Sequence, residues 1–133
     1  MKYSRVLVLG QFLIGVVDDD PRVLESLEEL LASGGHRVLP FPSAEAFIDS
    51  EGFQKVDCLL SDIGMPGMSG LELLRIARAE HPNLPVILIT ARDEQYQRAS
   101  IEGGARSLFR KPFDAKELLA TLDRILRPPP ANG

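Results

Sequence analysis

The sequence predicts an α/β chain: a parallel, doubly wound sheet of five strands with helices on both faces. Three observations carry that expectation. Short apolar runs alternate with longer stretches of helical spacing, five of each, with no repeat and no inner linker. Capping residues open several of the helical stretches, and Gly or Pro closes them. The strongest polar signals, Asp18-Asp19, Asp62 and Thr90, fall just past apolar runs, with Lys111 after the fifth, which collects them at one edge of the sheet.

Residues 13–17 are a continuous apolar run, β-branched at its end, and read as a buried strand. Asp20-Pro21 starts the first helix, Asp as N-cap and Pro at the first helical position. Val23, Leu24, Leu27, Leu30 and Leu31 follow at helical spacing, and Gly34-Gly35 stops them. Residues 37–40 are a short strand, and Ser43 caps a second helix whose apolar side is Ala44, Phe47 and Ile48. The run 56–60 delivers Asp62 to the end of a third, buried strand, and a loop with Gly64, Pro66 and Gly67 follows. Ser69 and Glu72 form a capping box in front of Leu71, Leu74 and Ala77. After a His81-Pro82-Asn83 loop, residues 85–89 are the fourth strand, ending at Thr90.

The helix over 93–101 is a poor one, because Tyr96, Ala99 and Ile101 make no clean stripe. A helix with little to bury is a candidate for the part that moves. Gly103-Gly104 ends it, and 106–110 is the fifth strand. Asp114 and Glu117 make a second capping box, opening a last helix with Leu118, Leu119, Leu122, Ile125 and Leu126 on one face; Pro128-Pro129-Pro130 halts it. Residues 1–12, with V-L-V-L-G at 6–10, are a leader or an added edge strand; 13–127 form the domain; 128–133 are a Pro-rich tail or the start of a linker.

Composition narrows the function. At 133 residues and 44% hydrophobic the chain fits one domain with a proper core. A net charge of -4 and a pI of about 5.2 argue against direct nucleic-acid binding, which normally needs a basic face. The lone cysteine, Cys58, falls in a buried strand and reads as a small core residue. Lys2 and Arg5 precede an apolar run, but it lacks a small-residue cleavage site and ends in Asp18, Asp19 and Asp20. It is also shorter than the ~20 residues that span a bilayer. The expectation is a cytoplasmic protein with no membrane partner.

Three carboxylates at one sheet edge repel one another unless a cation is shared. Oxygen-only ligands select a hard ion such as Mg²⁺, which keeps waters and is commonly completed by phosphate oxygens. That ion lowers the cost of bringing phosphate to an aspartate and stabilises in-line displacement at phosphorus. Lys111 can pair with one phosphoryl oxygen, the Thr90 hydroxyl can donate to another, and Asp62 is then the carboxylate nucleophile. Asp20 reads as a helix cap on a solvated turn.

With those residues in view, the chain resembles the receiver domain of two-component response regulators, the CheY-like family. The resemblance rests on V-V-D-D-D, S-D-I-G-M-P-G-M-S-G-L-E-L-L, I-L-I-T-A and K-P-F at 111–113, and covers about residues 13–127. F-P-S-A-E-A-F and D-D-D-P further resemble receivers of two-domain FixJ-type regulators. The resemblance implies a flavodoxin-like (βα)5 fold of sheet order 2-1-3-4-5 with the site at its switch point. It implies Asp62 as phosphoacceptor, Mg²⁺ held by Asp18, Asp19, Asp62 and the Gly64 carbonyl, Thr90 as switch hydroxyl, and Lys111 as the phosphate-binding lysine before a cis Pro112. It implies a sensor histidine kinase as donor and an output domain or protein outside this chain, and it allows a phosphorylation-dependent homodimer. The chemistry is a signalling domain's own phosphotransfer and autodephosphorylation, not turnover of other molecules.

Two departures stand out. Receivers usually carry an aromatic three residues before the lysine; here it is Leu108, with Phe109 beside it. Gly64 leaves no side chain two residues after Asp62, and Arg92 stands two after Thr90, both on the approach to the phosphoryl group. An aspartyl-phosphate phosphatase of the haloacid-dehalogenase type would need a second acid where Gly64 stands. The other rival, a receiver that interacts without taking phosphate, rests on Leu108.

Overall fold

The computed structural model of the chain describes residues 11–91 and 93–127, the side chains of 93–95 excepted. The leader at 1–10, the tail at 128–133 and Arg92 lie outside the described residues. The first half runs β1 (Leu13–Val17), α1 (Pro21–Ser33), β2 (Arg37–Phe41), α2 (Ala44–Asp49), α3 (Gly52–Lys55) and β3 (Cys58–Asp62). The second half runs α4 (Gly70–Glu80), β4 (Val86–Thr90), α5 (Asp93–Glu102), β5 (Ser107–Arg110) and α6 (Ala115–Leu126). The strands lie parallel in the order β2-β1-β3-β4-β5.

Side-chain alternation along each strand divides the core in two. Leu59, Val86 and Leu88 face Phe47, Leu73, Leu74 and Ala77 of α2 and α4. Ile14, Val16, Cys58, Leu60, Ile87 and Ile89 face Leu27, Leu31, Leu118 and Leu122 of α1 and α6. Every residue of β3 and β4 is buried, as strands covered on both faces must be, whereas β2 and β5 are the partly exposed edges.

The helix starts follow the local chemistry. Asp20 accepts the Arg22 amide at 2.9 Å with Pro21 opening α1. Ser43 accepts the Ala46 amide at 3.0 Å. Ser69 and Glu72 form the reciprocal box at α4. At α6 the expected box is only half made: the Asp114 carboxylate takes the amides of both Lys116 and Glu117, and among the described residues the Glu117 side chain makes no return bond to the Asp114 amide. One further helix, α3, was not anticipated. It is a single turn tucked between α2 and β3, and Phe53 on it packs edge-on against Phe47 at 4.9 Å. Strand β3 spans Cys58–Asp62, two residues later than the apolar run 56–60, and Asp62 stands at its end as that run implied.

Candidate functional site

Parallel strands end together, and here three ends converge. β1 hands over to Asp18 and Asp19, β3 finishes at Asp62 and β4 at Thr90. The register sets Asp62 beside Ile89 and Thr90 beside Arg110, and the Ile63 amide reaches the Ile89 carbonyl at 2.9 Å. The Lys111 amide donates to the Thr90 carbonyl at 2.8 Å, which ties the segment after β5 to the end of β4.

Carboxylate oxygens of Asp18, Asp19 and Asp62 all lie within 4.8 Å of one another. Asp18 and Asp62 are buried and Asp19 is exposed, so the cluster opens to solvent on one side. The Lys111 ammonium bridges the two buried acids, 3.2 Å from Asp18 Oδ2 and 3.3 Å from Asp62 Oδ1. The other oxygen of Asp18 accepts the Asp20 amide at 2.9 Å, which fixes that carboxylate. Thr90 is buried beside them. Asp20 turns away to cap α1 and pairs with Arg22 at 3.2 Å, outside the cluster.

The electrostatics follow from this crowding. Burial, then the Asp18 charge, holds the Asp62 carboxyl above the ordinary carboxylate range, with Lys111 opposing. Burial alone would lower the Lys111 ammonium; the Asp62 and Asp18 charges outweigh it and hold it above its usual value. The site is an over-acidic pocket that one lysine only partly neutralises. Its donors are all oxygens, the set a hard divalent cation takes. Opposite ligands of an octahedral ion with bonds near 2.1 Å lie roughly 4.2 Å apart, so small side-chain rotations would close the cluster around one ion. The residues present fit Mg²⁺.

The remaining expected residues fall nearby with different surroundings. Gly64 is exposed in the loop after β3, and a Cβ there would meet nothing within 4 Å. The Lys111–Pro112 peptide is cis, and Pro112 is exposed. Leu108 is partly exposed, not fully buried, and packs on the α2–α5 side of the sheet beside Leu88. Phe109 points to the opposite face, against Phe113 and the α1–α6 core. With a side-chain period of two, Phe109 does not share the surroundings of Leu108. Cys58 is fully buried and its thiol is pushed up to about 12 by that burial, so it carries no chemistry.

Two residues that sequence reasoning passed over also shape the site. A Cβ on Gly70 would lie 2.3 Å from the Asp62 carbonyl oxygen, so only glycine lets α4 start against the backbone of Asp62. The Gly70 amide uses that closeness to donate to the Ile63 carbonyl at 3.0 Å. Glu45 reaches from α2 to accept the Met68 amide at 2.8 Å. The M-P-G-M-S-G string marks a glycine-rich turn, but no local pattern announces which backbone it must approach.

The response regulator receiver domain family matches residues 14–123. The chain is 39% identical over 112 residues to the DNA-binding transcriptional regulator NtrC of Klebsiella pneumoniae, covering 84% of this chain and 24% of that one. It is 34% identical over 115 residues to the transcriptional regulatory protein FixJ of Bradyrhizobium diazoefficiens, covering 86% and 56%. The chain thus spans between a quarter and just over half of these curated relatives. Among solved structures, the response regulator protein TrrA of Thermotoga maritima, in complex with Mg²⁺ and beryllium fluoride, superposes with a TM-score of 0.79 at 30% identity, over 86% of this chain and 99% of that one. Parallel order 2-1-3-4-5, an acid cluster where the strands end and a family match over most of the chain agree, and the chain belongs to the receiver domains of two-component response regulators.

Proposed function

We propose that residues 13–127 are a phosphoacceptor receiver that takes a phosphoryl group from a sensor histidine kinase onto Asp62 and changes shape to regulate an output. The observation that carries this reading is the Lys111 ammonium shared between Asp18 and Asp62, with Asp19 completing the cluster. Asp18, Asp19, Asp62 and the Gly64 carbonyl would hold Mg²⁺. Bound there, the ion supplies the positive charge that offsets the approach of phosphate to carboxylate.

The residues of the chain divide the rest of the work. An Asp62 carboxylate oxygen attacks phosphorus as the P–N bond of the donor's phosphoimidazole breaks; the imidazole nitrogen keeps the electron pair and is protonated by solvent. Lys111 exchanges its contact with the Asp62 oxygen for one with a phosphoryl oxygen. The Thr90 hydroxyl donates to another and draws the segment behind it inward. The added charge is roughly -1.5 to -2. Beside Lys111, Val23, Leu27 and Leu30 of α1 form an apolar groove with Pro112 and Phe113, which suits a helical donor domain that must bring its phosphoimidazole to Asp62. No helix among the described residues is long and apolar enough to cross a membrane. With the net charge of -4, that favours a partner that is neither lipid nor nucleic acid. A phosphorylation-dependent homodimer and a cytoplasmic setting complete the reading.

Incubation with a small phosphoramidate or acyl-phosphate donor and Mg²⁺ should add one phosphoryl group, and Asp62→Asn should abolish it. Undiminished labelling of that variant would refute the assignment. A Mg²⁺ titration followed by NMR should show weak binding that Asp19→Ala impairs; equal affinity in both would remove Asp19 from the ligand set.

A further inference from the structure

We infer that Glu45 is a positioning residue for phosphoryl transfer, clamping the loop between β3 and α4 through the Met68 amide. This rests on the reading of Asp62 as phosphoacceptor and of the loop backbone as part of the Mg²⁺ site. Four observations support it. Glu45 Oε2 accepts the Met68 N–H at 2.8 Å across 23 residues of sequence. The loop lies directly on that carboxylate: Gly67 has φ +76°, and a Cβ there would come within 2.6 Å of Oε2. The amide holds the Glu45 carboxyl below its ordinary value, so the contact is charge-assisted at neutral pH. The helix carrying Glu45 is itself anchored in the core, since Ala44 and Phe47 are fully buried and Phe47 packs edge-on with both Phe41 and Phe53.

The rest of the loop is held by its ends and by the Met68 side chain, which packs partly buried against the core. Met65 is buried and its amide donates to the Ile63 carbonyl at 3.1 Å. Ser69 caps α4. Between them, Pro66 and Gly67 are exposed, and the Glu45 contact is a side-chain hydrogen bond that reaches this stretch from elsewhere in the fold. Releasing it loosens residues 66–68, and the change reaches Gly64 through Met65, the buried residue between them. Misplacing a reacting group by small distances is costly in rate. The clamp acts on geometry, so a neutral acceptor of the same shape should replace it.

The test compares Glu45→Ala and Glu45→Gln with the wild-type chain. In Glu45→Ala the Met68 amide should exchange faster, Mg²⁺ affinity should fall and phosphodonor labelling should slow, each by about fivefold, the factor one exposed hydrogen bond of ordinary net strength supplies. Thermal midpoints should stay together, and Glu45→Gln, which keeps the acceptor and loses only its charge, should restore most of each readout. Unchanged Met68 exchange in Glu45→Ala would show that there is no clamp. Faster exchange with wild-type Mg²⁺ affinity and labelling rate would show a clamp that positions nothing, and either result overturns the inference. If the wild-type chain takes no phosphate, the reading of Asp62 has failed; the clamp is then judged on Met68 exchange and Mg²⁺ affinity, which retain the same expected pattern.

Discussion

The helices that follow Asp62 and Thr90 are held in opposite ways. After Asp62, α4 begins with a reciprocal capping box, its first residue touches the Asp62 backbone, and Gly70, Leu73, Leu74 and Ala77 are buried. After Thr90, α5 has one buried residue among its described side chains, Ser100, whose hydroxyl finds no partner among the described residues, while Ile101 is 64% exposed. A nucleophile needs a fixed backbone, because phosphoryl transfer depends on placement. A readout needs an element whose displacement exposes little apolar surface and so costs little. One sheet edge provides both by following adjacent strands with helices of unequal burial.

The strongest test of this contrast is a pair of glycines. In Gly70→Ala the new methyl meets the Asp62 and Ile63 backbone, which cannot yield, so denaturant unfolding should show a loss of about 3 kcal/mol or more. In Gly103→Ala, just past α5, the nearest atoms are Cδ2 of the buried Leu74 at 2.8 Å and the Ala99 carbonyl oxygen at 3.1 Å, a milder clash that a side-chain shift relieves, and the loss should be about 1–2 kcal/mol. Equal losses would break the comparison.

Leu108 sharpens it on the α5 side. A fully buried leucine costs about 2–5 kcal/mol on truncation; Leu108 is partly exposed, so Leu108→Ala should cost about 1–2 kcal/mol in the same assay. Leu108→Phe should fold and keep labelling at Asp62. If only the Phe variant self-associates on phosphorylation, judged by analytical ultracentrifugation, the native chain is a receiver that interacts without switching.

Hydrogen exchange reads the contrast directly. Amides of 97–102 should exchange roughly tenfold or more faster than those of 73–77, about 1.4 kcal/mol of local stability. A phosphate mimic should alter exchange most over 90–110. A change concentrated in 21–50 would place the moving part elsewhere.

The smallest effect concerns the acid cluster. Asp62 is raised in the fold, so over the window between the ordinary carboxylate value and the raised one, the folded chain holds a proton that the unfolded chain has released. Stability therefore falls as pH rises through that window and stays lower above it. Asparagine does not ionise. Without Mg²⁺, Asp62→Asn should be more stable than wild type at pH 7, and the difference should vanish toward about pH 3, where both states are protonated. A less stable variant at pH 7 would mean that the Lys111 contact outweighs burial and the Asp18 charge.

Much of this molecule is legible residue by residue. Asp20, Ser43, Ser69 and Asp114 mark helix starts because a short polar side chain can satisfy amides within its own turn. The apolar run at 13–17 marks a strand covered on both faces, and the acids beyond such runs mark the sheet edge, because chain direction alone determines which strand ends lie together. These signals are local or follow from topology, and they sufficed for the doubly wound parallel sheet and the grouping of Asp18, Asp19, Asp62 and Lys111, while the order 2-1-3-4-5 came from the resemblance to receiver domains. What the chain could not declare depends on approach between segments far apart in sequence. Whether a Cβ fits at Gly70, whether Glu45 reaches Met68, and which face Phe109 takes relative to Leu108 are matters of ångströms between elements. Packing of α2 and α4 on one side of the sheet and of α1 and α6 on the other decided them.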